Sequence, residues 1–365
     1  MDSQQISHPT YKVVDESQAD AIAWAFVDTE NMKRLPIKFP ELKPNEARAR
    51  VTYTGLCHSD CHTVREEWGP CLHPIAPGHE IVGVVTEIGS EVRDLKIGDK
   101  VGFGAQRECC EKCEYCKQSH EQLCTGKANI EQAYTYGDKY WGGYASHIQH
   151  PASFYFKLPT NLPEDKIPPL FCAGATTYSP IARYAKPGQE VAVLGVGGLG
   201  HLAVKFAKAW GCRVTGFTTS KDKEKFILGL GADRVVISTP ENMKAEAGKY
   251  HLVLNTLPEG QRMNEYVSLT RPLGTFCQLG GPPADKPCPF NPAVLIFGQI
   301  NFVGSLIGSR KEIREMLAFC GKHNIVPMCE TFDFEEFPKA YDRLLNGKPV
   351  FRCVVDATKV SLKHH

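Results

Sequence analysis

No stretch of this 365-residue chain approaches the ~18 uninterrupted apolar residues that a membrane-spanning helix needs. The N-terminus, Met1-Asp2-Ser3-Gln4-Gln5, is polar and acidic and lacks the apolar centre of a secretory signal. Neither sign of charge dominates: 42 lysines and arginines stand against 41 acids, for a net charge of +1. That removes the electrostatic footing for nucleic-acid or anionic-membrane binding. There is no internal repeat and no low-complexity segment. A cytoplasmic protein is the expectation. What the chain has in excess is cysteine, fifteen in all. In a reducing compartment such a count is not a disulfide framework, so spacing has to say what the thiols do.

The length is too great for one ordinary core and fits roughly two domains of ~150–200 residues. Residues 1–160 are rich in glycine, proline and short β-branched runs. Ala47–Thr54 and Glu80–Ile88 read as strands, and Gly98–Gly102 as a turn into another. From about 175 the pattern changes. Apolar strands at Glu190–Leu194, Arg213–Phe217, Arg234–Ile237, His251–Asn255 and Gly274–Leu279 alternate with helices at His201–Trp210 and Lys223–Leu230. Alternation of this kind predicts βαβ units and a parallel sheet. A further helix is expected at Lys311–His323 and a last strand at Phe351–Val355.

Val191-Ala192-Val193-Leu194 runs directly into Gly195-Val196-Gly197-Gly198-Leu199-Gly200, and an apolar helix opens at His201. This is G-x-G-x-x-G between a strand and a helix, the context in which it cradles a dinucleotide pyrophosphate. The bland alternative is an ordinary glycine-rich turn. An NAD site usually carries an acid at the end of the next strand, ~20 residues after the first glycine, for the ribose hydroxyl. Here that strand runs into Thr218-Thr219-Ser220-Lys221-Asp222-Lys223. Hydroxyls and ammonium groups suit a 2′-phosphate instead, which points to NADP(H). The competing view is that Lys221, Lys223 and Lys225 only solvate a helix start.

Two cysteine patterns carry metal chemistry. Cys110, Cys113, Cys116 and Cys124 lie within fifteen residues, and four thiolates so spaced can enclose a tetrahedral Zn²⁺ with no open position. An iron–sulfur cluster competes, because similar spacings serve it. Adjacent Cys109 is read as a bystander. The second pattern is dispersed: Cys57-His58-Ser59-Asp60-Cys61-His62, then Gly78-His79-Glu80, then Cys172-Ala173-Gly174. Two cysteines and a histidine make a catalytic zinc set with one position open to water or substrate. Taken singly, each piece is weak: a lone Cys172 is more often a small buried residue than a ligand, and His79 alone more often a hydrogen-bonded core histidine.

In that order, Cys57, Gly78-His79-Glu80, the four-cysteine lobe, Cys172 and Gly195–Gly200 resemble the zinc-dependent medium-chain alcohol dehydrogenases over nearly the whole chain. The closer similarity is to the cinnamyl alcohol dehydrogenase-like branch of NADPH-dependent aldehyde reductases. It is carried by Gly55–Asp60, Pro77–Gly83, Cys172–Pro180 and Gly195–His201. The resemblance implies an α/β fold: a GroES-like β-rich catalytic domain (1–172 and 311–365) and a Rossmann domain with a doubly wound parallel sheet (173–310). It implies a homodimer acting on a small aldehyde or alcohol, with no nucleic-acid or membrane partner.

The same resemblance implies two Zn²⁺ per chain. Cys57, His79 and Cys172 would hold the catalytic ion, with Glu80 as an alternating ligand and Asp60 orienting one of them. Cys110, Cys113, Cys116 and Cys124 would hold the structural ion. Arg352 is expected beside Glu80 or near the cofactor phosphates. For NADP(H) the resemblance points to Ser59, Thr176, Gly195, Val196, Gly197, Gly198, Leu199, Gly200 and His201. It also points to Thr219–Glu224, Thr256, Gly280 and the Ser305–Ile307 stretch with Leu306. Ser59 and His62 stand at proton-relay positions, and Glu67 sits where relatives carry an assisting acid. Glu67 reads as readily as a solvated loop acid.

Two positions depart from the plant lignin-pathway enzymes. Asn129 stands where they carry a pocket tryptophan, and Leu306 where they carry a phenylalanine. Trp68 and Trp141 are left as candidate aromatic lining. The expected reaction is reversible hydride transfer between NADP(H) and aromatic or aliphatic aldehydes and primary alcohols. Rival readings are an iminium or enone reductase, a non-catalytic interaction protein and a thiol-based metal store. The first two sit poorly with the retained relay and ligand residues. The third rests on nine further scattered cysteines, which read mostly as small buried hydrophobes.

Overall fold

A computed structural model describes residues 10–126, 140–258, 260, 262–281, 288–346 and 351–360. The chain divides into two compact units, Met1–Cys172 with Ser309–His365, and Ala173–Gly308. Among the described residues no helix is long and apolar enough to cross a membrane.

The first unit is mostly antiparallel β. Strands β1 (Lys12–Val13), β2 (Ala21–Phe26) and β3 (Met32–Lys38) form a small sheet in the order β1-β3-β2. A larger sheet is built on β4 (Glu46–Leu56), with β5 (Ile81–Ile88), β6 (Lys100–Phe103), β7 (His147–Pro151) and β8 (Tyr155–Lys157). Both strands expected at Ala47–Thr54 and Glu80–Ile88 are present, in β4 and β5. Register shifts at Arg48/Ala49 and Val51/Tyr53 mark bulges in β4, which bend a strand and re-aim its side chains. The core beneath packs Phe26, Ile37, Val51, Ile81, Phe103, Tyr144 and Phe337.

The second unit is a parallel sheet of six strands: β9 (Glu190–Leu194), β10 (Arg213–Thr218), β11 (Arg234–Ile237), β12 (Tyr250–Asn255), β13 (Thr270–Gln278) and β14 (Asn301–Gly304). Their spatial order is β11-β10-β9-β12-β13-β14, every pair parallel. That is the Rossmann order, with its crevice where strand order reverses, between β9 and β12. The strands read as continuous apolar runs because helices cover them. Val191, Ala192, Val193, Leu252, Val253 and Leu254 are fully buried.

The first unit resumes with the helix Arg310–His323, where Ser309 and Glu312 form a reciprocal capping box. Two strands then close the large sheet, β15 (Cys329–Asp333) and β16 (Arg352–Asp356), with β16 antiparallel to β4.

Candidate active site and metal centres

The helix His58–Val64 starts immediately after β4, with Cys57 as its N-cap residue. Two carboxylates dominate the buried polar chemistry around it. Asp60 is fully buried, as is Glu80 at the start of β5. Asp60 Oδ1 accepts from His79 Nδ1 at 2.9 Å and from the Gly78 N–H at 3.0 Å. A carboxylate only accepts, so Nδ1 carries a proton and Nε2 is the nitrogen a metal ion would take. Burial is the largest single influence and lowers the His79 imidazole, but the charge and hydrogen bond of Asp60 together with those of Cys57 outweigh it and lift the group to about 10, so a metal ion taking Nε2 displaces its proton. Across the same space Cys57 Sγ lies 3.8 Å from Cys172 Sγ. Hydrogen bonding to Cys172, with Arg352 and His79 adding to it, holds the Cys57 thiol well below its ordinary range.

The donor atoms of Cys57, His79, Glu80 and Cys172 all lie within 4.8 Å of one another, and all four residues are buried. Two sulfurs ligating one tetrahedral zinc at ~2.3 Å stand ~3.8 Å apart, the spacing found here. Glu80 is divided between two tasks. Its Oε1 is paired with Arg352 NH2, and its Oε2 is buried with no hydrogen-bond partner. A cation at the centre of the group satisfies that oxygen and both thiolates, so the residues fit a metal ion. Of the two places expected for Arg352, it takes the one beside Glu80.

Cys110, Cys113, Cys116 and Cys124 form the other group within 4.8 Å, and Cys109 stands outside it. Sulfur separations are 3.9 Å for Cys110–Cys116, 3.5 Å for Cys113–Cys116 and 4.0 Å for Cys113–Cys124. Sulfurs this close leave room for one ion and not for the several irons and sulfides of a cluster. Backbone N–H groups of Cys110 and Cys113 donate to Cys124 and Cys110 sulfurs, each at 3.3 Å. N–H groups led by that of Cys116 bring the Cys113 thiol down to about 6. Arg310 ties the lobe to the helix Arg310–His323. It grips Glu111 with both terminal nitrogens at 2.9 and 3.0 Å, and Glu121 through Nε at 2.9 Å.

Ser59 Oγ lies 3.7 Å from Cys57 Sγ, against the ligand group. His62 stands three residues further along the same helix, on the same face. Its Nδ1 donates to Glu67 Oε2 at 2.5 Å, and Trp68 lies 4.9 Å from its ring. Glu67 is therefore engaged with His62 and is not simply a solvated loop acid. Trp68 is 45% exposed. Trp141 is a correction: its ring is buried in the first unit's core, 5.1 Å from Tyr11. Asn129 lies outside the described residues.

In the second unit the glycine turn joins β9 to the helix Gly200–Ala209. Gly195 has φ +79°, and a Cβ on Gly200 would sit 2.1 Å from the Gly195 carbonyl oxygen. Both positions exclude side chains for internal reasons. Gly197 has nothing within 4 Å of its Cβ position, so a ligand can approach the backbone there. His201 is fully buried, and burial lowers it to about 4. The neutral ring donates from Nδ1 to the Gly197 carbonyl at 3.1 Å, bracing the turn.

Thr256 Oγ1 donates to the Gly195 carbonyl at 2.7 Å. The Gly280 N–H, just beyond β13, donates to the Asn255 carbonyl at 3.2 Å. Val196 and Thr176 are buried, Gly198 and Leu199 half-buried, and Leu306 is 46% exposed. At the end of β10 Thr218 is buried and accepts from the Ser220 N–H at 3.2 Å. Thr219, Lys221 and Lys223 are exposed there, with Ser220 half-buried.

Sequence reasoning did not single out Tyr144, whose hydroxyl donates to Asp60 Oδ2 at 2.7 Å. Nor did it single out Arg310. Neither belongs to a spaced motif. The only hint was the glycine pair before Tyr144.

Comparison with known proteins places these units. Residues 43–160 match the family described as alcohol dehydrogenase GroES-like domain, and residues 198–322 the one described as zinc-binding dehydrogenase. The chain is 40% identical over 348 residues to 8-hydroxygeraniol dehydrogenase of Catharanthus roseus, covering 93% of this chain and 96% of that protein. A cinnamyl alcohol dehydrogenase from Sorghum bicolor superposes with a TM-score of 0.87 at 32% identity, covering 94% of this chain and 99% of that one. The enzyme of the same name from Helicobacter pylori, complexed with NADP(H), gives 0.85 at 32% identity, covering 93% and 99%. The buried Cys57–His79–Glu80–Cys172 group, the four-cysteine lobe and the Rossmann sheet agree with these matches, and the chain belongs to the zinc-binding medium-chain alcohol dehydrogenases, in their cinnamyl alcohol dehydrogenase-like branch.

Proposed function

We propose that this alcohol dehydrogenase is an NADP(H)-dependent reductase of aromatic and aliphatic aldehydes, working reversibly on the corresponding primary alcohols. The observation that carries the reading is the convergence of Cys57, His79, Glu80 and Cys172 with the Ser59 hydroxyl 3.7 Å from Cys57 Sγ. Two Zn²⁺ belong to each chain, one at that group and one among Cys110, Cys113, Cys116 and Cys124. When bound, the catalytic ion polarises a carbonyl oxygen and the nicotinamide supplies hydride.

The chain's own residues do the rest. Cys57, Cys172 and His79 hold the ion, and Asp60 fixes the His79 tautomer. Ser59 Oγ delivers a proton to the substrate oxygen. His62, oriented by Glu67, carries the replacement proton from solvent. Positioned acid–base groups of this kind contribute typically ~10²–10⁴-fold.

Thr218, Thr219, Ser220, Lys221 and Lys223 recognise the 2′-phosphate, and exposed ammonium groups beside hydroxyls support this. Val196–His201, with Thr176, Thr256, Gly280 and Leu306, take the remainder of the cofactor. A homodimer is supported by β14, an edge strand carrying Phe302 at 39% exposure beside Ile296 at 72% and Phe297 at 89%. Exposed apolar edges of this kind are usually covered. All fifteen cysteines are free thiols, which supports a reducing compartment such as the cytoplasm.

The test is loss of NADPH absorbance with cinnamaldehyde and with a short aliphatic aldehyde, NADH run in parallel. Turnover with NADPH and little with NADH is expected. The Ser59→Ala variant should lose at least ~10²-fold in turnover while keeping both zincs. Absence of turnover with either cofactor, in protein carrying two zincs, would move iminium or enone substrates to the front.

A further inference from the structure

The buried carboxylate of Asp60 has a fourth hydrogen-bond donor that the zinc chemistry does not explain. Oδ1 accepts from His79 Nδ1 and the Gly78 N–H, as described. Oδ2 accepts from the Cys57 N–H at 3.2 Å and from Tyr144 Oη–H at 2.7 Å. A carboxylate offers about four lone-pair sites, so every one is filled and each oxygen is fixed. The Tyr144 bond is the shortest of the four. Tyr144 is itself fully buried, and burial drives its phenol upward, so it keeps the proton it donates.

The approach of Tyr144 is built into the backbone. The Gly142 and Gly143 N–H groups donate to the Ala76 and Gly78 carbonyls, both at 2.7 Å, and the Tyr144 N–H to Pro77 at 3.0 Å. Gly78 has φ +107°, and a Cβ there would lie 2.6 Å from Tyr144 Cδ1 and 2.7 Å from its backbone nitrogen. The glycine preceding His79 is thus required by Tyr144 as well as by its own backbone angle. On its other side the Tyr144 ring stands edge-on to Phe337 with centroids 4.6 Å apart. Phe337 opens the helix Phe337–Leu345. The phenol is clamped between the His79 loop and that helix, and its hydroxyl has one direction to point.

We propose that Tyr144 is a positioning residue for the catalytic metal: its hydroxyl locks Asp60, and Asp60 in turn locks His79 with Nε2 toward the ion. The inference rests on the reading of Cys57, His79 and Cys172 as zinc ligands. Groups that orient a ligating histidine are typically worth ~10–100-fold in metal affinity. Tyr144 acts one bond further out, so ~10-fold is the expectation.

The test compares full-length wild type with Tyr144→Phe, Tyr341→Phe and Asp60→Asn. Zinc release to a chelator and the absorption spectrum of the cobalt-substituted protein are the readouts, together with melting temperature. Tyr341 is the control, a buried tyrosine whose ring is stacked 6.4 Å from Phe337 and whose hydroxyl meets Cys61 rather than Asp60. The expected result for Tyr144→Phe is ~10-fold faster loss of one zinc equivalent, a shifted cobalt spectrum and an unchanged second equivalent. Tyr341→Phe should behave as wild type at both sites.

Wild-type release and spectrum in Tyr144→Phe, with Asp60→Asn impaired, would overturn the inference and leave the ligand assignment standing. Equal losses in Tyr144→Phe and Tyr341→Phe would also overturn it, by tracing the effect to general packing. A Cys57→Ser variant that keeps both zinc equivalents would overturn the ligand assignment and the inference together. Should Tyr144→Phe melt too low to handle, the same readouts taken below its melting temperature, with Tyr341→Phe at the same temperature, must show the selective zinc loss for the inference to stand.

Discussion

The two groups of metal donors are built in opposite ways. The Cys110–Cys124 lobe draws four identical ligands from fifteen consecutive residues, and Cys110 and Cys113 are only half-buried. The Cys57–Cys172 group draws sulfur, nitrogen and oxygen from three distant segments, all four residues buried and backed by Asp60 and Arg352. A closed set of four thiolates stabilises a loop by holding a cation and leaves nothing for substrate. A mixed set with a carboxylate shared between a cation and an arginine has a ligand it can exchange. The lobe needs only chain proximity, whereas the other site needs the fold.

That contrast breaks most visibly under mutation. Replacing Cys172 with Ser should lower turnover by at least ~10³-fold and remove one of two zinc equivalents, with little change in melting. Replacing Cys116 with Ala should remove the other equivalent, lower the melting temperature by several degrees and leave residual turnover in the folded fraction. If both variants lost activity and stability alike, the functional division between the sites would fail.

Arg310 tests how the lobe is fastened. Breaking a largely buried pair by removing one partner costs about 3–5 kcal/mol. Arg310 is 14% exposed and Glu121 5%, so Arg310→Met should cost about 2–4 kcal/mol in chemical denaturation. It should also speed zinc loss from the lobe and not from the Cys57 group. Loss from both would mean that Arg310 supports the whole unit.

Thiol reactivity supplies the finer comparison. In zinc-stripped protein the Cys113 thiol, held at about 6, is mainly thiolate at pH 7 and should alkylate readily. Its rate should fall as pH drops through about 6, because the neutral thiol is unreactive. Cys57 also favours the thiolate, but it is buried, so modification there should be at least ~10-fold slower. Comparable rates would mean that the Cys57 site opens easily.

The smallest effect expected lies outside both sites. Hydrogen bonds from Tyr250, Arg234 and Lys249 outweigh the upward push of burial on Glu246 and lower it to about 2. Its folded-state value is depressed, so its contribution is complete above the unfolded value near ~4.3 and disappears as pH falls through about 2. Glu246→Gln should therefore cost about 1–2 kcal/mol at pH 7 and little at pH 2, read by urea denaturation at each pH.

Much of this was legible along the chain. The strand, glycine turn and helix of 190–209 are contiguous, and so are the four lobe cysteines, so local pattern reached both. The helix read as His201–Trp210 begins at Gly200, and the one read as Lys311–His323 begins at Arg310, because Ser309 and Glu312 cap it. The ligand group became visible only as an ordered set of motifs. Tyr144 could not be assigned along the chain: its contact with Asp60 spans 84 residues and depends on backbone pairing of 142–144 with 76–78. Trp141 misled, because an aromatic side chain reads the same in a core as in a pocket.

The sequence by itself determined the classes of chemistry, since thiolates, imidazole and a glycine turn can be counted and spaced without a fold. It also determined the parallel sheet, because buried parallel strands must be apolar throughout. The tertiary structure decided which donors converge, which oxygen of Glu80 is spoken for and which tyrosine steadies Asp60. Those are matters of a few ångströms across long loops, and chain order carries no distance between residues that far apart.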